Sequence, residues 1–173
     1  MIRTVLVVDD VPSIRELMED ALSSKTYRVL TAASAEAALE VLKHHRADVV
    51  ISDEKMPGMT GTEFLSRVRK RYPETVRIIL TGHATLDAAI RAINEGEIYR
   101  FLTKPCNLVD LTVTIRQALA QKDLERENRR LTAIVKQQAA SLHALERHHP
   151  GITQVKRDRG GAVIIEDGDQ GQE

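Results

Sequence analysis

The sequence predicts an α/β domain with a doubly wound, five-stranded parallel sheet, its last helix running on into a long extension. Three observations carry this. Short apolar runs rich in Val, Ile and Leu recur through the first 120 or so residues, and segments of helical length separate them. Continuous apolar runs suit parallel strands buried on both faces. From Leu108 a helical pattern continues to about His149 without Gly or Pro.

Taken in order, the strands are expected at Val5–Val8, Tyr27–Leu30, Val49–Ile51, Val76–Leu80 and Ile98–Leu102. The helices are expected at Pro12–Ser24, Ser34–His45, Gly61–Arg71, Thr85–Glu95 and from Leu108 onward. Pro12 stands where an N1 proline would, and Ser34 precedes an Ala/Leu/Glu run as an N-cap. Strands alternating with helices imply right-handed crossovers and a sheet covered by helices on both faces.

Composition narrows the function. The chain has 173 residues, 42% hydrophobic and 29% charged, enough apolar material for a core. Lys+Arg and Asp+Glu both number 25, a balance that argues against a general nucleic-acid binder. Cys106 is the single cysteine, which excludes an internal disulfide and a cysteine-rich metal site. Aromatics make up 3% with no Trp, so base-stacking platforms are not expected. No apolar run approaches the roughly 18 residues of a membrane span. Val5–Val8 runs straight into Asp9-Asp10, unlike a signal peptide, so a cytoplasmic protein without membrane contact is expected.

Beyond the sheet domain, Leu124, Leu131, Gln138 and Leu145 are spaced by seven, as are Asn128, Val135 and Leu142. In heptad terms the first set occupies d and the second a, with Asn128 a polar a residue that favours a parallel, in-register dimer. Gln138 at d and few opposite charges at e and g weaken the match. The alternative is one amphipathic helix folded back on its own domain. A homodimer through residues 121–148 is preferred, because a lone helix this long with little apolar surface needs a partner. The expected division is 1–122 for the sheet domain, 123–149 for a helical extension and 150–173 for a hairpin-like segment with an acidic tail. The hairpin is read from Ile152–Asp158, the turn Arg159-Gly160-Gly161 and the apolar Ala162–Ile165.

In open parallel sheets the functional crevice lies beyond the carboxyl ends of the strands. Four of those ends carry polar groups: Asp9-Asp10, Ser52-Asp53, Thr81-Gly82 and Thr103-Lys104-Pro105. Three adjacent carboxylates repel one another unless a cation intervenes. Mg²⁺ fits best, since it needs one or two carboxylates and keeps waters for an incoming phosphoryl group. One carboxylate can then act as nucleophile toward phosphorus, and Asp53, alone on a central strand, is the best candidate. Lys104 and the Thr81 hydroxyl can pair with phosphoryl oxygens. An isolated Asp at a strand end is usually a cap or turn residue. Four strand ends agreeing at once make that reading weak.

This set resembles the signature of the bacterial two-component response-regulator receiver domain. The residues are Asp9-Asp10, Asp53 followed by Met56-Pro57-Gly58, Thr81-Gly82 and Lys104-Pro105, and the likeness covers residues 1 to about 122. The resemblance implies a flavodoxin-like fold that takes phosphate from a histidine kinase's phosphohistidine onto Asp53. It implies that Asp10 ligates Mg²⁺ directly and Asp9 mainly through water, with Asp53 and the backbone carbonyl of Lys55 completing the protein's ligands. Lys104 would contact the phosphoryl group, Thr81 would move toward it, and Phe101 matches the family's aromatic switch position. If Thr81 is drawn in, a ring at Phe101 can fill the space it leaves, giving two discrete packings. Core packing is the plainer reading of Phe101. Tyr99 is a rival aromatic, expected from strand alternation on the same face.

Lys55 and His83 are expected to flank the phosphoryl group and tune the acyl phosphate's lifetime, or else to be solvated loop side chains. The pairs His44-His45 and His148-His149 lack carboxylate or Cys partners and fit solvated helix ends better than a zinc site. Cys106 is given no role.

Only 23 residues follow Pro150, too few for a winged-helix DNA reader. The stretch Tyr99–Cys106 resembles receivers attached to cyclic-dinucleotide phosphodiesterases of the His-Asp/Gly-Tyr-Pro type, but neither motif is present here. The expectation is therefore a stand-alone, non-enzymatic receiver signalling to an unknown downstream protein, with no direct DNA binding. A phosphate sink or phosphorelay intermediate, exchanging phosphoryl groups with a histidine phosphotransfer protein, is the alternative. A haloacid-dehalogenase-like phosphohydrolase ranks low, because Lys55 stands where its second Asp would be.

Overall fold

A computed structural model describes residues 2–23, 26–82 and 98–148 of the chain. Five strands, β1 (Arg3–Val8), β2 (Tyr27–Ala32), β3 (Val49–Asp53), β4 (Val76–Thr81) and β5 (Arg100–Thr103), form one sheet in the order β2-β1-β3-β4-β5. Every pairing is parallel. Four helices lie among the described residues: α1 (Pro12–Leu22), α2 (Ala35–His44), α3 (Gly61–Arg71) and α4 (Leu108–His148). The helix expected over 85–95, His83, His149 and the hairpin expected over 152–165 lie outside the described residues. The chain divides into two units, Met1–Leu124 and Glu125–Glu173.

Alternation along the strands builds both sides of the first unit. Val5, Val7, Val49, Ile51, Ile78 and Leu80 meet Met18 and Leu22 of α1 and Leu111, Ile115, Ala118 and Leu119 of α4. Leu6, Val8, Val50 and Ile79 meet Ala35, Ala38 and Leu42 of α2 and Phe64, Leu65 and Val68 of α3. Each fully buried Leu or Ile in these layers is worth about 1.5–3 kcal/mol. All five residues of β3 are buried, as a central strand requires. The strand order reverses between β1 and β3, so a crevice is expected beyond their carboxyl ends.

The helix starts follow local chemistry. Pro12 is at the N1 end of α1, and Ser34 caps α2 by accepting from Ala37 N–H at 3.2 Å. Thr60 and Glu63 form a reciprocal capping box at α3. β1, β2 and β3 each run two residues longer than expected, and two further elements end or begin short. α1 stops at Leu22, where Ser23 closes it by donating its N–H to Glu19 O at 2.8 Å. β5 begins at Arg100, so Ile98 and Tyr99 precede the ladder. Tyr99 consequently escapes strand alternation: it packs with the α1/α4 layer, whereas Phe101 packs with the α2/α3 layer. The two aromatics lie on opposite sides of the sheet, not on one face.

Candidate functional site

Asp9 and Asp10 follow β1, Asp53 ends β3, Thr81 ends β4, and Lys104 follows β5. Parallel pairing brings all these ends to one edge. The carboxylates of Asp9, Asp10 and Asp53 each offer an oxygen within 4.8 Å of the others. Lys104 reaches between two of them: its Nζ donates to Asp9 Oδ2 at 2.7 Å and lies 3.1 Å from Asp53 Oδ1. Asp9 is almost wholly buried and its Oδ1 accepts from Val11 N–H at 2.9 Å, which locks the turn into α1. Asp10 is solvent-accessible. Asp53, 8% exposed, is recessed but open at one side.

The Lys104 pKa is raised. Burial works to lower it, but the hydrogen bonds it donates to Asp9 and Asp53, together with their charges, outweigh burial. The ammonium is therefore a fixed cation inside an acidic cluster. Its own backbone is held too, with Lys104 N–H donating to Thr81 O at 2.8 Å. Thr81 is buried and pairs in register with Thr103. Phe101 pairs with Ile79, two positions before Thr81 on the same strand, so Thr81 and Phe101 occupy one face of neighbouring strands. Phe101 is half-buried.

The loop after Asp53 is supported by residues that sequence reading passed over. Glu54 Oε2 accepts from the N–H of Thr62 at 3.0 Å and from its hydroxyl at 2.8 Å, while Gly61 N–H donates to Glu54 O at 3.1 Å. α3 thereby seats directly behind Asp53. A Cβ at Gly61 would fall 2.2 Å from Asp53 O, so only glycine permits that approach. Met56 and Met59 are buried and pin the loop to the α2/α3 layer, and Gly58 takes a positive φ of 84° at its turn. The Thr60-x-x-Glu63 spacing was the available signal for this junction. Lys55 is exposed in the same loop.

The donor set suits a hard cation. All three side chains offer anionic oxygen, the hard donor type that Mg²⁺ takes.

The family model for the response regulator receiver domain matches residues 5–116. The chain belongs to the response-regulator receiver family. Among curated relatives of this receiver, the hydrogenase transcriptional regulatory protein HoxA of Cupriavidus necator is 39% identical over 128 residues, covering 74% of this chain and 26% of the relative. The transcriptional regulatory protein GlrR of Escherichia coli is 36% identical, covering 82% of this chain and 32% of its own. The receiver thus spans about a quarter to a third of the length of these relatives. Among solved structures, the signal receiver domain of an HD domain-containing protein from Pseudomonas fluorescens superposes with a TM-score of 0.67 at 38% identity, covering 71% of this chain and 98% of that one. A CheY-like receiver from Methanospirillum hungatei gives 0.68 at 30% identity, with 72% and 99% covered. No helix among the described residues is long and apolar enough to cross a membrane.

Proposed function

We propose that this receiver accepts a phosphoryl group on Asp53 from the phosphohistidine of a histidine kinase or histidine phosphotransfer protein. The observation carrying this is the Lys104 ammonium seated between Asp9 and Asp53 beside the third carboxylate of Asp10. An Asp53 oxygen forms the new bond to phosphorus as the P–N bond breaks, and the imidazole keeps the electron pair. Lys104 then meets the added negative charge and the Thr81 hydroxyl donates to a phosphoryl oxygen. Asp9, Asp10, Asp53 and the Lys55 carbonyl would hold Mg²⁺, whose charge offsets the carboxylates and the developing phosphoryl negative charge.

The shared face of Thr81 and Phe101 supports a switch in which Thr81 moves toward the phosphoryl group and Phe101 fills the space behind it. Lys55 and His83 are assigned to setting water access, and hence the lifetime of the acyl phosphate. The output is read as protein–protein contact by a cytoplasmic, non-enzymatic module without direct DNA contact, although the relatives named above are transcriptional regulators of which it matches only a quarter to a third. Residues 1–122 form the phosphoacceptor unit, residues 121–148 serve self-association, and 150–173 form an appended segment.

The test is chemical trapping. Protein incubated with Mg²⁺ and a small acyl-phosphate donor is reduced with borohydride, which converts an aspartyl phosphate to homoserine. Peptide mapping should find homoserine at position 53. Modification elsewhere, with none at 53, would reject the assignment.

A further inference from the structure

We infer that a groove between the carboxyl ends of α2 and α3 holds a short acidic peptide segment of a partner protein. The groove has a volume of about 460 Å³, a size that ligand sites commonly have. It lies at the opposite end of the sheet from Asp53. Ala47 and Thr75 lead into β3 and β4, whereas Asp53 and Thr81 close those strands. Its walls are tied together without a ligand. The Thr75 hydroxyl donates to Ala47 O at 2.9 Å, and Val76 N–H donates to Asp48 O at 2.9 Å. The segments that follow α2 and α3 are thereby fixed to one another, which keeps the ordering cost of binding low.

Leu42, Tyr72 and Pro73 give the groove an apolar lining, and cations flank it on both sides. Glu74 is the single carboxylate among the described lining residues, against Lys43, Arg46 and Arg71. Lys43 is already matched, since its Nζ donates to Glu40 Oε2 at 2.5 Å. Arg46 and Arg71 are exposed, and neither has an acidic partner among the described residues. Arg71 instead lies over the Tyr72 ring, 5.8 Å from its centroid, which holds the guanidinium at the edge of the groove. The whole chain is neutral, so these two guanidiniums are a local surplus of positive charge.

Helix direction decides between classes of anion. Both helices end at the groove, and only Val41 O and Val68 O are taken up by the capping N–H groups of His45 and Tyr72. The carbonyls of the last turn have no partner inside the helix. A compact phosphate is disfavoured at this negative end of the helix dipole, the reverse of a helix N-terminus. A nucleic-acid backbone brings charge but no N–H donors. A peptide is complementary on both counts: its N–H groups can donate to the carbonyls while its carboxylates take the two guanidiniums. The matching segment carries acidic residues on either side of an apolar one that rests on Leu42 and Tyr72. Because the groove is remote from Asp53, the contact holds a partner whether or not that residue is phosphorylated.

Binding is read by fluorescence anisotropy on the full chain. The probe is a short fluorescein-labelled peptide of Asp and Glu interspersed with Leu and Phe, run beside its Asn/Gln counterpart. The acidic peptide should bind saturably and the neutral one should not. Arg46→Glu should raise the dissociation constant about fivefold or more. Arg116→Glu makes the same change of charge at an exposed site on α4, which packs on the other side of the sheet, and should leave binding unaltered. Asp53→Ala should bind as wild type does. Failure of the acidic peptide to bind, or equal weakening by both charge reversals, overturns the inference. Inorganic phosphate or duplex DNA that competes with the peptide and loses its own binding in Arg46→Glu overturns the peptide as occupant. None of these results alters the mapping of homoserine at position 53.

Discussion

Lys104 donates to Asp9 Oδ2 at 2.7 Å, joining residues 95 positions apart in the chain. That one contact closes the site across the sheet. It links the loop after β5 to the end of β1 over the central strand that carries Asp53, and it places a cation within reach of both Asp9 and Asp53.

Removing that cation has a predictable cost. In Lys104→Met, Asp9 stays buried without its charged partner, and the three carboxylates repel one another. The metal-free protein should lose about 1–3 kcal/mol of stability, visible as a lower thermal midpoint. Added Mg²⁺ should raise that midpoint more in the variant than in wild type. Equal shifts in both proteins would mean that Lys104 does not balance the acidic cluster.

Gly61→Ala places a methyl group 2.2 Å from the carbonyl oxygen of Asp53, a backbone atom that cannot swing aside. Overpacking of this kind costs about 1–3 kcal/mol, read from urea unfolding. Because the strain falls on the Asp53 peptide, the rate of acyl-phosphate labelling should drop as well if Asp53 is the acceptor. Unchanged stability would show that α3 does not seat as closely as described.

The opposite end of the sheet supplies a pH prediction. Asp48 accepts from Thr4 N–H at 3.0 Å and pairs with Arg3 at 3.2 Å, with Lys122 at 3.6 Å. Burial works to raise its pKa, but the Thr4 hydrogen bond and the charges of Lys122 and Arg3 prevail and leave it lowered. A carboxyl lowered in the folded state adds stability above its unfolded pKa, and that stability is lost as pH falls through the folded value. Asp48→Asn should therefore be less stable than wild type at neutral pH, with the gap narrowing in acid. A gap independent of pH would assign the effect to packing instead.

Tyr99 provides a narrower test. Its hydroxyl donates to Gln121 Oε1 at 3.3 Å, on the side of the sheet away from Phe101. Tyr99→Phe removes about 0.5–1.5 kcal/mol or less at this exposed position and should leave labelling of Asp53 unaltered. Phe101→Ala should likewise permit labelling but abolish the phosphorylation-dependent change in hydrogen exchange around β5. Loss of labelling in either variant would mean that the aromatic supports the site itself.

Much of the site was legible because period and chemistry coincide. Apolar runs ended in Asp9, Asp53, Thr81 and Lys104, and a parallel sheet brings such ends to one edge. Tyr99 was misplaced because alternation holds only inside a ladder, and the run Ile98–Leu102 gave no sign that pairing starts at Arg100. The Glu54–Thr62 clamp and the contact of Gly61 with Asp53 depend on how a loop folds back, which periodicity does not encode.

The most direct measurement is the intact mass of the full chain after incubation with Mg²⁺ and a small acyl-phosphate donor, run beside Asp53→Ala. The expected result is a single phosphoryl adduct on wild type that disappears both in Asp53→Ala and when magnesium is withheld. An adduct that persists in folded Asp53→Ala would contradict the central claim that Asp53 is the phosphoacceptor.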